Sequence, residues 1–226
     1  MKTQDFTLVT KEGSKDVEIN FDKVLAIGFA GRDQAKVMEH IHELEEIGVK
    51  APISIPTLYP CADLLVTEDD YIQVLGKESS GEVEFVIIFQ DEKIYIGLGS
   101  DHTDRALEAV SISKSKQICA KPLSKELWLY DEVKDHWDDL KLVSWQMLDG
   151  EEILYQNGKI SEILPVEKIL AEVKKSYPEM NNMIMFSGTV PVLNGFLYGQ
   201  HFRCELQDDV LGRKLAHAYN IQLIGE

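Results

Sequence analysis

Two apolar runs separated by a short polar turn constrain the fold of this chain more than any other stretch. The first, Val83 to Phe89, is almost continuous in branched and aromatic residues, and the second covers Lys93 to Ile96. Runs of this length and composition favour β-strands, so the stretch predicts two paired strands. Glu82 and Glu84 stand two residues apart at the head of the first run. The period of two in a strand places both carboxylates on one face.

The paired acids allow two interpretations. Like charges at this spacing disfavour each other unless they share a cation or a proton, which indicates a metal site or a raised pKa. Asp101 follows a turn expected at Gly97-Leu98-Gly99 and offers a third oxygen ligand. Carboxylates also protect exposed strand edges from aggregation, and spacing alone does not choose between a metal site and a solvated edge.

The order of residues after these acids resembles a known family. Residues 100–108 read Ser-Asp-His-Thr-Asp-Arg-Ala-Leu-Glu, which is similar to the Asn-Asp-Val-Thr-Ala-Arg-Asp-Leu-Gln signature of the fumarylacetoacetate hydrolase family. In that family the signature follows a strand bearing Glu-x-Glu. The resemblance implies that Glu82, Glu84 and Asp101 hold one divalent metal ion. Within the family the chain most resembles the DUF2848 group.

Carboxylate oxygens suit hard cations, so Mg²⁺ is the expected ion, with Mn²⁺ or Ca²⁺ as alternatives. The resemblance implies that Arg105 and Thr189 bind the substrate and that a lysine enters the site. Lys114 and Lys116 compete for that place, and Lys116 is preferred because it lies nearer to the Cys-x-x-Pro segment that follows. Glu108 stands where the family shows glutamine, and we expect it near the metal as a catalytic residue.

One departure from the family pattern affects the expected chemistry. Ala30, Gly31 and Gln34 stand where the family shows asparagine, tyrosine and histidine. In hydrolytic members that histidine begins a lid that helps to activate water. The resemblance therefore implies a metal-dependent hydrolase or lyase acting on a small, anionic 2-oxo or 1,3-dicarbonyl acid. Its reaction would be C–C hydrolysis, decarboxylation or hydration through an enolate held by the metal. The alternative is a catalytically silent binding protein that keeps the fold.

Composition narrows the classes of partner. The chain has 226 residues and a formal net charge of -16, which excludes phosphate-backbone recognition by clustered Lys and Arg, so no nucleic-acid partner is expected. No apolar run approaches the ~20 residues that span a bilayer, so no membrane partner is expected. Three widely spaced cysteines, Cys61, Cys119 and Cys204, indicate reduced thiols and a cytoplasmic protein. The resemblance implies a homodimer.

Short strands alternating with many Gly and Pro turns indicate a β-rich fold. The expected class is mainly β (α+β), a mixed, coiled β-sheet or β-roll of the fumarylacetoacetate hydrolase type with peripheral helices. We expect one domain over 1–226, with strands and a helix in 1–50 and the metal-site core in 51–226. Helices are predicted over 32–47, ending at Gly48, and over 166–175. A linker is predicted over 52–62 and a hairpin turn at Asn157-Gly158.

Overall fold

The computed structural model of the protein describes residues 1–46, 51–52 and 54–225. Strands hold far more of these residues than helices do, which confirms the mainly β class. The strands run, in chain order, over Lys2–Thr10 (β1), Gly13–Phe21 (β2), Lys23–Gly28 (β3), Thr57–Cys61 (β4), Val66–Thr67 (β5), Tyr71–Leu75 (β6), Ser79–Ser80 (β7), Val83–Gln90 (β8), Lys93–Ser100 (β9), Thr103–Asp104 (β10), Lys121–Pro122 (β11), Glu126–Leu129 (β12), Lys141–Leu148 (β13), Glu151–Lys159 (β14), Met183–Phe186 (β15), His201–Asp208 (β16) and Arg213–Gly225 (β17).

Five α-helices lie among the described residues: Gln34–Glu46 (α1), Arg105–Glu108 (α2), Ile112–Gln117 (α3), Tyr130–Val133 (α4) and Val166–Ser176 (α5). Helix α1 begins after Asp33, whose carboxylate accepts hydrogen bonds from the backbone N–H groups of Ala35 and Lys36 and so caps the first turn. Both predicted helices are confirmed. The expected helix end at Gly48 lies outside the described residues. In the described ranges, no helix is long and apolar enough to cross a membrane.

The larger sheet has eight strands in the order β2-β1-β12-β9-β8-β15-β3-β4. It is mixed, because β1 pairs with β12 and β15 with β3 in parallel, whereas the other neighbours are antiparallel. The segment predicted as a linker contains strand β4, which includes Pro60 and lies at the edge of this sheet. An edge strand tolerates proline because one side of it needs no ladder hydrogen bonds.

The second sheet has five strands in the order β14-β13-β16-β17-β6. Strands β13 and β14 are joined at Asp149 and Gly150, whose φ angles of 52° and 85° suit a tight hairpin turn. The turn predicted at Asn157-Gly158 is therefore wrong, since both residues lie inside β14. An Asn-Gly pair makes a turn only where the flanking strands fold back on each other, and here the fold-back occurs earlier in the chain.

Strand β8 lies in the middle of the core, with one face in each of two apolar clusters. Phe85 and Ile87 belong to the cluster between the two sheets, together with Trp128. Val86 and Ile88 belong to the cluster on the opposite face of the larger sheet. A strand buried on both faces has no polar alternation, which explains the continuous apolar run in the sequence. Its head, where Glu82 and Glu84 stand, is thereby fixed against a rigid sheet.

Strand β9 does not end at Ile96 as predicted but continues through two glycines to Ser100. Gly99 pairs with Glu84 across the sheet and forms a bridge to Leu123 on its other side. A Cβ at Gly99 would lie 2.7 Å from the carbonyl oxygen of Pro122. The glycine therefore marks a close crossing of two backbones, not a turn, and this crossing brings β11 to the end of β9.

Substituting Gly99 by alanine tests this close crossing. We expect Gly99→Ala to lower the free energy of unfolding by about 1–3 kcal/mol, because the new methyl group overlaps a backbone oxygen that cannot rotate away. Gly97→Ala is the matched control, since a Cβ there meets the side-chain ends of Leu127 and Leu123 at 3.1 and 3.2 Å. Urea denaturation measures both changes. Equal losses in the two variants would contradict the crossing as the cause.

Candidate metal centre and active site

The three acids predicted as metal ligands meet at the adjoining ends of β8 and β9. The backbone N–H of Asp101 donates to the carbonyl of Glu82 at 3.1 Å, which extends the ladder that pairs Glu84 with Gly99. One carboxylate oxygen from each of Glu82, Glu84 and Asp101 lies within 4.8 Å of the other two. Glu84 and Asp101 are buried and Glu82 is partly buried. The sheet thus brings Asp101 to two acids that stand 17 and 19 positions earlier in the chain.

Glu84 is the most unusual member of this carboxylate cluster. Among the described residues, none offers a hydrogen-bond partner to its Oε2 atom, although that atom is buried. Burial, with added repulsion from Asp101 and Glu82, raises the pKa of Glu84 well above its usual value. An unpartnered buried carboxylate oxygen is costly unless a proton or a cation satisfies it. A cation bound between the carboxylates of Glu82, Glu84 and Asp101 would satisfy this atom, and three carboxylate ligands suit a hard divalent ion.

Asp101 is held by two lysines. Lys116 Nζ lies 2.5 Å from Asp101 Oδ2 and 3.4 Å from Glu82 Oε2, so its ammonium bridges two of the acids. Lys121 Nζ lies 2.9 Å from Asp101 Oδ1. Burial alone would raise the pKa of Asp101, but the two ammonium groups outweigh it and hold that pKa at about 2. Asp101 is therefore ionised at any physiological pH.

Of the two lysines considered for the site in the sequence, Lys116 is the one that lies against the acids. It lies near the end of α3 and is buried, whereas Lys114 on the same helix is exposed. Burial works against its charge, yet the neighbouring carboxylates, led by Asp101 and Glu82, raise the pKa of Lys116 well above its usual value. Lys116 is thus a buried ammonium in direct contact with the candidate metal ligands.

Lys121, which no sequence pattern singled out, is completely buried in β11. Besides facing Asp101, its Nζ donates to the carbonyl of His102 at 2.8 Å. Fully buried lysines are rare, and in a loop segment a lysine is expected in solvent. The one local signal is Pro122, which restricts the backbone conformation of the preceding Lys121. The approach of β11 to β9 at Gly99 brings Lys121 to the cluster, and no local sequence pattern predicts this approach.

Removing the Lys121 charge should make the stability of the protein depend on divalent ions. We expect Lys121→Met to lower the free energy of unfolding by about 3 kcal/mol, because it leaves a buried carboxylate with one cation fewer. Added Mg²⁺ should recover part of that loss. Lys125→Met, at an exposed lysine four residues on, is the matched control and should change little. A metal-independent loss in Lys121→Met, measured by urea denaturation, would contradict this role.

Arg105 joins Glu82 to Glu108. Its Nη1 lies 3.2 Å from Glu82 Oε1 and 2.8 Å from Glu108 Oε2, and its Nε donates to Ser80 Oγ at 2.7 Å. Its Nη2 is buried and has no hydrogen-bond partner among the residues that the structure describes. The ring of Phe196 covers the guanidinium at 4.3 Å. Arg105 therefore keeps donors available for an anion, and Glu108 reaches the cluster through Arg105.

The hydroxyl of Thr189, predicted to bind substrate, is already engaged. It donates to the carbonyl of Val83 at 2.6 Å and accepts from Gln156 Nε2 at 2.8 Å. One lone pair on its oxygen remains. Thr189 thus lies beside the residue between Glu82 and Glu84, where it supports the strand that carries them.

His102 is buried, and its two ring nitrogens lie 3.0 Å from Tyr219 Oη and 3.1 Å from Ser79 Oγ. Burial, and then the charges of Lys121 and Arg105, lower the pKa of His102 to about 3. It is therefore neutral near pH 7 and packs behind Asp101, with its side chain on hydroxyl partners instead of the carboxylates.

Comparisons with known proteins agree with this architecture. The sequence profile of the family described as "Protein of unknown function (DUF2848)" matches residues 27–219. No curated protein sequence matches the chain. A solved structure of 2-keto-3-deoxyarabinonate dehydratase superimposes with a TM-score of 0.68 at 14% identity, covering 96% of this chain and 79% of that one.

Two further solved structures share the fold. The protein Cg1458 superimposes with a TM-score of 0.62 at 14% identity, over 100% of both chains. A complex of 2-keto-3-deoxy-D-arabinonate dehydratase with magnesium and 2,5-dioxopentanoate has a TM-score of 0.66 at 14% identity and covers 96% of this chain and 79% of that one. At these identities the likeness concerns the fold, and it confirms the expected fumarylacetoacetate hydrolase type.

Proposed function

The chain belongs to the DUF2848 family, and on that premise and the geometry of its acidic cluster we propose that it is a divalent-metal-dependent lyase acting on a small 2-oxo acid. One observation carries the proposal: the buried ammonium of Lys116 bridges Asp101 and Glu82 beside the unpartnered oxygen of Glu84. A proton-bearing group next to three oxygen donors is the arrangement that acid–base chemistry beside a hard cation needs. The magnesium complex of the dehydratase with the same fold supports it.

Glu82, Glu84 and Asp101 would hold the metal ion. Mg²⁺ is the ion we propose, with Mn²⁺ or Ca²⁺ as alternatives, because all three ligands are carboxylates. When bound, the ion would act as a Lewis acid that polarises the oxygen atoms of a 2-oxo acid. The unpartnered Glu84 Oε2 supports the fit, because a cation would satisfy that buried atom.

Arg105 would bind and orient the substrate. Its free Nη2 donors are suited to a carboxylate, and Arg–carboxylate pairs add direction as well as attraction. The Phe196 ring over the guanidinium shields it from water and strengthens that pairing. Glu108, expected from the sequence as a catalytic residue, would act by keeping Arg105 in place through their 2.8 Å contact. The remaining lone pair of Thr189 could accept one further hydrogen bond from the substrate.

Lys116 would be the proton donor. Its position beside Asp101 and Glu82 keeps it charged, so it can stabilise negative charge that develops on the substrate and deliver a proton to a leaving hydroxyl, while a water molecule would take the proton lost from the neighbouring carbon. A lyase is favoured over a hydrolase because Gln34, where hydrolytic relatives show histidine, donates to the carbonyl of Gly31 at 2.8 Å. A glutamine amide does not take a proton from water.

A second candidate is a catalytically silent protein in which the cluster is a structural ion-pair network. It is favoured by the contacts of Asp101, both of whose oxygens already face lysines. If Glu84 stays protonated, the charges of Glu82, Asp101 and Glu108 balance those of Arg105, Lys116 and Lys121 without any metal. Buried networks of this kind can be purely structural.

One titration series distinguishes the two candidates. Calorimetry with Mg²⁺ and with Mn²⁺ would show whether the protein binds a divalent ion at millimolar concentration. Thermal-shift titrations with pyruvate, oxaloacetate and 2-keto-3-deoxyarabinonate, each with and without the metal, would then test the substrate class. We expect one of these oxo acids to stabilise the protein only in the presence of the metal, and then to lose water when incubated with the metal-loaded protein. If the protein binds no divalent ion, the second candidate, a structural ion-pair network, explains the cluster.

Three wider expectations accompany the proposal: one domain over residues 1–226, a reducing location such as the cytoplasm, and a homodimer. The cysteines, all in the described part of the chain, are free, which supports a reducing location. At the edge formed by β6 and β17, the apolar side chains of Tyr71, Leu75 and Leu223 are exposed and could pack against a second copy. Sedimentation showing only a 25.6 kDa species would contradict the dimer.

A further inference from the structure

Strand β8 extends past the end of one of its neighbours at the point where it carries the acids. On one side, β9 pairs with it as far as Val83, and Asp101 continues the ladder to Glu82. On the other side, β15 ends at Phe186, and the last backbone hydrogen bond runs from Ser187 N–H to the carbonyl of Phe85. The polar groups of Val83, which point to this open side, need partners from elsewhere.

Gln156 supplies one of those partners directly and the other through Thr189. Its Oε1 accepts from Val83 N–H at 3.1 Å, and its Nε2 donates to Thr189 Oγ1 at 2.8 Å. The threonine hydroxyl in turn donates to the carbonyl of Val83 at 2.6 Å. Both backbone groups of the residue between Glu82 and Glu84 are thus held by side chains.

The orientation of the Gln156 amide is determined by its partners. Its Oε1 also accepts from Ser144 Oγ at 2.9 Å, and its Nε2 also donates to the carbonyl of Val190 at 2.7 Å. A backbone N–H can only donate and a carbonyl can only accept, so the amide cannot turn over. The side chain is fully buried and uses all four of its hydrogen-bonding positions.

A β-bulge in the second sheet aims this side chain. Ser144 pairs with Gln156, but the next residue, Trp145, pairs with Leu154, which leaves Tyr155 as an extra residue in β14. Alternation along a regular strand would send Tyr155 and Gln156 to opposite faces, yet both are buried. Bulges commonly re-aim side chains beside functional sites. Here the bulge turns Gln156 from the second sheet towards the head of β8.

We propose that Gln156 is a positioning residue for the candidate metal site: by holding the peptide groups on both sides of Val83, it sets the separation and direction of the Glu82 and Glu84 carboxylates. The inference rests on the proposed function only in that the acids bind a cation. A peptide plane that rotates at Val83 would swing the two flanking side chains in different directions. The three donors would then no longer converge on one ion, since ligand geometry depends on such outer contacts.

Replacing Gln156 by methionine removes its hydrogen bonds at similar volume. We expect Gln156→Met to weaken Mn²⁺ binding about 10-fold or more, measured by calorimetry, and to alter the electron paramagnetic resonance spectrum of bound Mn²⁺. Gln146→Met is the matched control. Gln146 is equally buried in β13, but its amide bonds Leu197 and Gly199. The control should lose stability and keep its Mn²⁺ affinity. Equal affinities in a folded Gln156→Met and the wild type would overturn the proposal.

A second variant and a second measurement keep the test decisive. Thr189→Val removes the relay from Gln156 to the Val83 carbonyl but leaves the other three hydrogen bonds of Gln156 in place. It should therefore fold even if Gln156→Met does not, and its Mn²⁺ affinity should fall in the same direction. Hydrogen exchange at the Val83 amide reports the same contact without any metal. Exchange should speed up in Gln156→Met and stay slow in Gln146→Met. If the wild type binds no ion, the proposed function fails. The exchange measurement still shows whether Gln156 holds the peptide groups of Val83.

Discussion

Glu84→Gln is expected to lower the affinity for Mg²⁺ and Mn²⁺ by about 100-fold or more, because Glu84 is a proposed direct ligand and loss of a supporting contact alone costs about 10–100-fold. The substitution keeps the volume and the strand, so the β8–β9 ladder should persist. What changes is the buried Oε2 atom, which has no protein partner in the described part of the chain and which the cation would satisfy. An amide oxygen is a weaker ligand for a hard ion than a carboxylate.

Glu205→Gln is the matched control for this prediction. Glu205 is also a buried glutamate in a central strand, but its carboxylate is paired with Arg203 and Lys214 in the second sheet. Calorimetric titration of the two variants and the wild type gives the comparison. The control should bind the ion as the wild type does. Similar affinities in all three proteins would show that the acids at the end of β8 are not ligands.

Lys116→Met is expected to reduce turnover of the substrate by about 10²–10⁴-fold, the usual contribution of a positioned proton donor. Affinity for the divalent ion should be kept or become tighter, because the ammonium that competes for Asp101 and Glu82 is gone. A loss of turnover with an intact metal site is the pattern that separates a proton-transfer role from a structural one. The assay follows product formation from whichever 2-oxo acid stabilises the metal-loaded wild type.

Lys114→Met provides the control within the same helix. Lys114 is exposed on α3, two residues before Lys116, and carries the same charge. It should retain full turnover. If both variants remain active, neither lysine is catalytic, and Lys116 serves only as the ion-pair partner of Asp101 and Glu82. If only Lys114→Met is inactive, the assignment of the buried lysine is wrong.

Local patterns predicted much of the framework. The apolar runs of β8 and β9 and helices α1 and α5 follow from periodicity and turn residues, which act over a few neighbouring positions. The same turn signals gave wrong predictions where long-range contacts determine the path of the backbone. The glycines before Asp101 are not a turn but the close crossing of β9 and β11. The Asn157-Gly158 pair lies inside β14, because Asp149 and Gly150 make the hairpin turn.

Local backbone geometry explains why the three acids meet at the end of β8. Glu82 and Glu84 share a face because side chains alternate along any strand, and Asp101 joins them because the hairpin of β8 and β9 returns the chain to its start. These are local consequences of backbone geometry. The sequence favours Lys116 over Lys114 by its distance from the following Cys-x-x-Pro segment, and the packing of α3 adds that of the two lysines only Lys116 is buried.

The other contacts of the site form only when the two sheets are packed together. Lys121 reaches Asp101 because a glycine lets two backbones cross, and Gln156 reaches Val83 from a strand of the other sheet, 73 residues along the chain. Neither contact can be predicted from the periodicity of the sequence, because each joins a single side chain to one distant partner. Buried polar groups must find partners wherever the packed sheets leave them, and that requirement acts only once both sheets are in place.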